Sequence, residues 1–142
     1  MKRRDTLLRL KRFRVDELKR RLMTLDAMKS DLEKKLADLD ESVAREKQRA
    51  GDTDIGRLAF PTFLRSIDTR RQNIRATMKE LEKERATAQD DLSGAFQEMK
   101  SLEVAEEERL KRAQEAEGRA AQSRIDEIAI VRHLRKHALR QA

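Results

Sequence analysis

The amino-acid sequence predicts an all-α fold: a long, antiparallel coiled-coil hairpin of two helices, with the second helix longer than the first. Three observations support this. Apolar residues recur every three or four positions along almost the whole chain. The pattern lapses once, between Gly51 and Gly56. Charged residues make up 43% of the chain and aromatic residues 3%, which is typical of coiled coils and unlike compact globular domains.

The first helix is predicted over about residues 4–49. With Leu8 at heptad position a, nearly every a and d position through Val43 is apolar, and the exceptions are Lys11 and Lys29. The apolar positions are Leu8, Val15, Leu18, Leu22, Leu25, Leu32, Leu36, Leu39 and Val43.

A loop is expected over about residues 50–58, because glycine and aspartate at Gly51, Asp52, Asp54 and Gly56 are typical of turns and helix caps. Pro61 is expected in the first turn of the next helix, where its missing N–H costs little.

The second helix is predicted over about residues 59–138, and the whole chain, residues 1–142, is taken as one domain. Its apolar stripe starts at Phe60, and Arg71 and Arg85 interrupt it. A short loop favours antiparallel neighbours, so facing residues should have numbers that add up to roughly 111. The second helix then overhangs beyond about Lys111, and its apolar residues from Ile125 to Leu139 need another covering surface.

The positive charge is concentrated at one end. The chain has a net charge of +7, and residues 1–21 alone hold ten basic and three acidic residues. The remainder is therefore balanced, and the basic end predicts an acidic partner surface. A glutamate cluster, Glu103 and Glu106–Glu108, should lie beside this end in the hairpin and match its charge.

The sequence contains no recognisable catalytic constellation, so we expect no enzyme activity, no cofactor, no metal and no small-molecule substrate. His133 and His137 share a helix face, but two ligands are too few for structural zinc and basic residues surround them. Asp52 and Asp54 resemble a calcium-loop fragment whose twelfth position, Phe63, is not a ligand. No apolar run is long enough to cross a bilayer.

A basic leucine zipper that binds nucleic acid is the alternative from another class. Leu18, Leu25, Leu32 and Leu39 are spaced by sevens and follow a basic stretch. The base-reading pattern of that class is missing, however, and a second, longer helix with a matching stripe would have no explanation.

Three stretches resemble the FliJ family of flagellar type III export proteins. They are the leucine-rich, charged first helix, the segment Phe60-Pro-Thr-Phe-Leu-Arg-Ser-Ile67, and the segment Arg124-Ile-Asp-Glu-Ile-Ala129. The resemblance implies a stalk-like coiled coil that binds the hexameric export ATPase, promotes its assembly and activity, and contacts the membrane export gate at the cytoplasmic face of the inner membrane. Export chaperones are a further candidate partner.

The same resemblance implies two sets of contact residues. The ATPase-ring contact would involve Arg3, Arg4, Leu7, Leu10, Ile125, Asp126, Glu127 and Ile128. The export-gate contact would involve Leu36, Leu39, Phe63 and Ile67. The chain has no tyrosine or tryptophan, so aromatic contacts that some relatives use near the hairpin tip are missing on the first helix. A virulence-system stalk and a chaperone escort are alternatives within the same architecture.

Overall fold

The computed structural model describes residues 2–141, which form two helices, α1 (Lys2–Ala50) and α2 (Asp54–Gln141). They pack side by side in opposite directions, and the prediction of an all-α hairpin with a longer second helix is confirmed. At 1.5 Å per residue, α1 is roughly 75 Å long and α2 roughly 130 Å. None of the helices in residues 2–141 is long and apolar enough to cross a membrane.

The turn between the helices is shorter than the loop expected over residues 50–58, because α2 begins at Asp54. The Thr53 hydroxyl accepts a hydrogen bond from the Gly56 N–H at 3.0 Å, which caps α2. This early start also corrects the expectation for Pro61, which lies inside α2 and not in its first turn. Since proline has no N–H, the carbonyl four residues before it loses its usual helical donor.

Gly56 is needed at the turn because the two helix ends approach each other there. A Cβ atom at this position would lie 2.7 Å from the Thr53 hydroxyl oxygen and 3.0 Å from the Cα atom of Ala50. The second contact is with backbone, which cannot move aside as a side chain can. Ala50 is itself buried, so glycine allows the close packing that closes the hairpin.

The core is a single seam between the helices. Buried along it are Val15, Leu18 and Leu25 of α1, and Ile67, Leu81, Ala88 and Met99 of α2. Leu25 is 0% exposed and packs in a cluster with Leu81 and Ala88. The leucines spaced by sevens thus face α2 of the same chain, and the surface that a parallel zipper would need is already occupied.

Three ion pairs across the seam match the register that the sequence predicts. Arg85 bonds to Asp26 at 2.6 Å, Arg71 bonds to Asp40 at 2.5 Å, and the Lys29 ammonium lies 3.9 Å from Glu82. In each of these pairs the residue numbers add up to 111, the register expected from the sequence. The arginines that interrupt the apolar stripe of α2 are therefore paired with carboxylates of α1. Both guanidinium groups have a raised pKa, chiefly because of the hydrogen bonds to these aspartates.

Candidate interaction surfaces

The terminal end of the hairpin, where α1 begins, exposes both basic and apolar side chains. Leu7 and Leu10 are 43% and 59% exposed, and with Arg3 they border a shallow depression. They are exposed because the seam passes through Leu8 and Lys11, so their positions on α1 point away from α2. Arg3 and Arg4 are exposed and form no salt bridge within residues 2–141.

The second predicted group of ring-contact residues lies on a different part of the molecule. Beyond Arg109, α2 continues without α1 beside it, and we call residues 111–141 the overhang. Ile125 and Ile128 are more than half exposed there, and Asp126 accepts a hydrogen bond from Gln122 at 3.0 Å. The level of Arg3 and the level of Ile125 are separated along α2 by roughly 25 Å. The eight predicted residues thus form two groups, one beside the seam and one on the single helix.

The overhang carries further exposed apolar residues after Ile128. Ile130, Val131, Leu134 and Leu139 are between 47% and 78% exposed. Four basic residues and no acidic residue lie among them: Arg132, Arg135, Lys136 and Arg140. Of the overhang residues described, only Ala121 is partly shielded. The apolar surface that the sequence places beyond the reach of α1 is therefore uncovered in the isolated chain.

The glutamate cluster matches the basic end in part. Glu103 bonds to Arg12 of α1 at 3.3 Å and to Lys100 of its own helix at 3.1 Å. Both bonds lower the pKa of Glu103, and the hydrogen bond from Lys100 has the largest effect. Hydrogen bonds from Arg109 lower the pKa of Glu106, and the charge of Arg4 contributes a smaller effect.

One further ion pair joins the two helices at this end of the hairpin. Glu98 bonds to Lys11 at 2.7 Å, and its pKa is lowered because of this hydrogen bond and the adjacent charge. By contrast, Glu108 pairs with Arg112 on its own helix. Within residues 2–141, the cluster thus contributes one direct bond to α1, through Glu103, while Glu98 contributes another from outside the cluster.

The histidines and the turn aspartates lie at opposite ends of α2. The rings of His133 and His137 stack with centroids 6.5 Å apart. Asp54 lies 3.5 Å from Arg57, as an ion pair in the first turn of α2. No group of three or more His, Cys, Asp or Glu side chains able to hold a metal occurs among the residues described.

The four predicted gate-contact residues all lie along the seam near the tip of the hairpin. Leu36, Leu39 and Phe63 are half-buried, whereas Ile67 is 2% exposed. The Phe63 ring stacks on Phe60 at a centroid distance of 6.4 Å. A partner approaching from outside would thus meet the first three side chains, while Ile67 holds the two helices together beneath them.

A set of basic residues beside these positions was not predicted from the sequence. Lys35 and Arg70 border a depression around Leu39, while Arg45 and Arg49 border another around Phe63. The available signal was the predicted register, in which no acidic residue of α2 faces Lys35, Arg45 or Arg49. Glu41 of α1 faces Arg70, but the two form no salt bridge within residues 2–141.

Comparison with known proteins assigns the family. The family model described as "FliJ: Flagellar FliJ protein" matches residues 1–138, nearly the whole chain. No curated protein and no solved structure gives a significant match. Since the match spans both helices, the turn and most of the overhang, this chain belongs to the flagellar FliJ family, a group of non-catalytic components of the flagellar protein export apparatus.

Proposed function

We propose that this chain is a stalk-like, non-enzymatic subunit that binds the hexameric export ATPase with its terminal end and overhang. Its tip end would contact the membrane export gate, at the cytoplasmic face of the inner membrane. The observation that carries the proposal is the overhang, a single helix of roughly 45 Å with uncovered apolar and basic side chains. Isolated surfaces of this kind are normally covered by a partner.

The dimensions of the chain suit a central position in a ring. A single helix with its side chains is about 10–12 Å wide, and the hairpin adds one more helix beside it. The narrow overhang would enter the ring deepest, and the wider hairpin would follow with Arg3, Arg4, Leu7 and Leu10. Both groups of predicted ring-contact residues would then meet the ring at successive depths, which accounts for their separation along α2.

The chain would act on the ATPase through contacts alone. A rod that touches the subunits of a ring unequally favours some of their conformations over others, and this difference in binding free energy shifts the populations. Arg3 and Arg4, which form no salt bridge within residues 2–141, would steer the terminal end toward an acidic ring surface and make binding sensitive to salt. The exposed isoleucines of the overhang would supply the apolar contact.

The test is a titration of the export ATPase from the same organism with the full chain, following the steady-state rate of ATP hydrolysis. A stalk predicts stimulation that saturates near one chain per ATPase hexamer. No change in rate at any ratio would contradict the proposal, and saturation at one chain per ATPase subunit would contradict the central position in the ring.

A pair of variants tests whether the basic terminal end is the contact. Arg3→Glu combined with Arg4→Glu should weaken binding to the ATPase because the approach would become repulsive. Arg75→Glu combined with Lys79→Glu makes the same change of charge at exposed positions of α2 far from that end. Equal affinity of the two double variants, with helicity retained in both, would show that the terminal arginines are not part of the contact.

At the other end, we propose that Leu36, Leu39 and Phe63 contact the export gate, with Ile67 positioning Phe63 from within the seam. Leu39→Ser should weaken binding of the gate's cytoplasmic portion while leaving stimulation of the ATPase unchanged. Loss of both activities together would indicate a general effect on the fold, which the helical circular dichroism signal of the variant would reveal.

A further inference from the structure

A groove runs along one side of the seam near the tip. It consists of two adjoining depressions, one around Leu39 and Ile74 and the other around Phe63. The α1 residues that border it recur at intervals of three and four, so they lie on one face of that helix. We call this feature the tip groove, and its bordering residues are Lys35, Asp38, Ser42, Arg45, Glu46 and Arg49 of α1 with Arg70 and Asn73 of α2.

The floor of the tip groove is apolar and recessed. Leu39, Phe63 and Ile74 are each half-buried, since one side of each chain packs in the seam and the other faces the groove. Most of the bordering side chains are charged, and those of Lys35, Arg45 and Arg70 are exposed to solvent. A ligand must therefore place apolar groups between two charged borders in order to reach the floor.

The basic charges of this groove are not neutralised across the seam. Within residues 2–141, Lys35, Arg45 and Arg70 form no salt bridge, and the carboxylate paired with Arg49 is Glu46 of its own helix. On the other side of the seam, Arg71 and Arg85 bond to aspartates of α1. The groove borders carry four basic and two acidic residues, so the groove has a surplus of positive charge.

We infer that the tip groove binds an acidic segment of a partner protein, one that carries aliphatic side chains between its carboxylates. The carboxylates would pair with Lys35, Arg45 and Arg70, and the aliphatic side chains would cover Leu39 and Ile74. This inference rests on the proposed gate contact and gives its chemical class: the segment belongs to the cytoplasmic portion of the export gate.

The recessed floor favours a peptide over a lipid surface. A flat anionic bilayer would meet the outer basic side chains but would not reach Leu39 between two helices. The side chains of a peptide project from a narrow backbone and fit such a groove, as in other helix and strand recognition modes. The apolar floor thus favours an acidic peptide over an anionic lipid surface, whereas the charges alone would accept either partner.

The test is fluorescence anisotropy of labelled peptides that tile the cytoplasmic portion of the gate protein, titrated with the full chain. We expect the bound peptides to combine several Asp or Glu residues with Leu, Ile or Val. Their affinity should fall about tenfold between roughly 50 and 300 mM NaCl, because the exposed pairs are screened by salt. Binding confined to peptides without acidic residues, or to none of the peptides, would overturn the inference.

Matched variants locate the binding. Lys35→Glu combined with Arg70→Glu should weaken the peptide complex at least about tenfold, since roughly 1.4 kcal/mol corresponds to that factor and two charge pairs are reversed. Lys34→Glu combined with Arg75→Glu changes the same charge at exposed positions on the same helices outside the groove, and it should stay within about twofold of the wild type. An equal effect of both double variants would overturn the assignment to the groove.

Two further readouts separate this inference from its alternatives. If the wild type binds phosphatidylglycerol vesicles but none of the peptides, and the Lys35→Glu, Arg70→Glu variant (the groove variant) loses vesicle binding, the partner is a lipid surface and the inferred protein partner is wrong. Stimulation of the ATPase by the groove variant should remain at the wild-type level. If peptides bind but the ATPase does not respond to the wild type, the groove stands and the stalk proposal fails.

Discussion

The sharpest prediction concerns Leu25, the one side chain that is fully buried among the described residues. Leu25→Ala removes most of an aliphatic side chain from between Leu81 and Ala88, against which it packs. Replacing a buried leucine by alanine costs about 2–5 kcal/mol of unfolding free energy, as the sum of lost transfer energy and a residual cavity. A seam between two helices is open at its flanks and relaxes more easily than a globular core, so we expect about 2–3 kcal/mol.

The assay is urea unfolding followed by the circular dichroism signal at 222 nm. Met23→Ala is the matched control: it shortens an apolar side chain on the same helix that is 71% exposed, and we expect it to change the free energy of unfolding by less than about 0.5 kcal/mol. Since the overhang contributes helical signal without seam contacts, the transition should be fitted after subtracting its gradual melting.

The reasoning would be refuted by a cost for Leu25→Ala below about 1 kcal/mol, or by equal costs for the two variants. Either result would mean that the seam does not hold the hairpin together in solution. A midpoint that depends strongly on protein concentration would also contradict an intramolecular seam, because a monomeric hairpin unfolds independently of concentration.

Three other predictions follow from the turn, the register and the terminal end. Gly56→Ala should destabilise the hairpin by about 1–3 kcal/mol because the added Cβ atom would crowd the backbone of Ala50, whereas Gly118→Ala in the open overhang should raise helicity and stabilise the helix by about 1 kcal/mol. Similar effects at both positions would contradict the close approach of the two helices at the turn. Asp26→Arg should lower the urea midpoint of unfolding through repulsion of Arg85, and adding Arg85→Asp should restore most of the lost stability. A double variant as unstable as Asp26→Arg alone would refute the pairing. The lowered pKa values of Glu98, Glu103 and Glu106 stabilise the folded chain fully above the unfolded-state pKa, near 4.3, and this contribution is lost as the pH falls through the lower folded-state pKa values. The midpoint temperature of unfolding should therefore fall below about pH 4.5, and a variant with glutamine at all three positions should show a smaller pH dependence.

The sequence predicts the hairpin well because periodicity and a single turn leave few alternatives. The heptad positions of α1 correctly identify Val15, Leu18 and Leu25 as buried. The register also follows from the sequence, since Arg71 and Arg85 break the stripe of α2 only where α1 offers an aspartate. Periodic apolar residues and paired charges are local signals that can be read without coordinates.

The turn and the tip groove were harder to predict for physical reasons. Proline is expected early in a helix, so Pro61 argued for a later start of α2, but the hydroxyl cap from Thr53 lets the helix begin at Asp54. The groove depends on which flanking side chains of the two helices stand opposite each other. That arrangement is fixed only once the register is known, and Lys35 and Arg70 look like ordinary solvated residues before then.

The unequal sequence separation of the cross-helix pairs has a consequence for how the chain folds. Asp40 and Arg71 are 31 residues apart in sequence, while Lys11 and Glu98 are 87 apart. Since closing a longer loop loses more conformational entropy, we expect the turn to form first and the pairing to advance from it toward the chain termini. The reverse order applies to local opening, so backbone amides near Lys11 should exchange their hydrogens sooner than those near Asp40. The end that is proposed to meet the ATPase would thus be the last part of the hairpin to fold and the first to unfold.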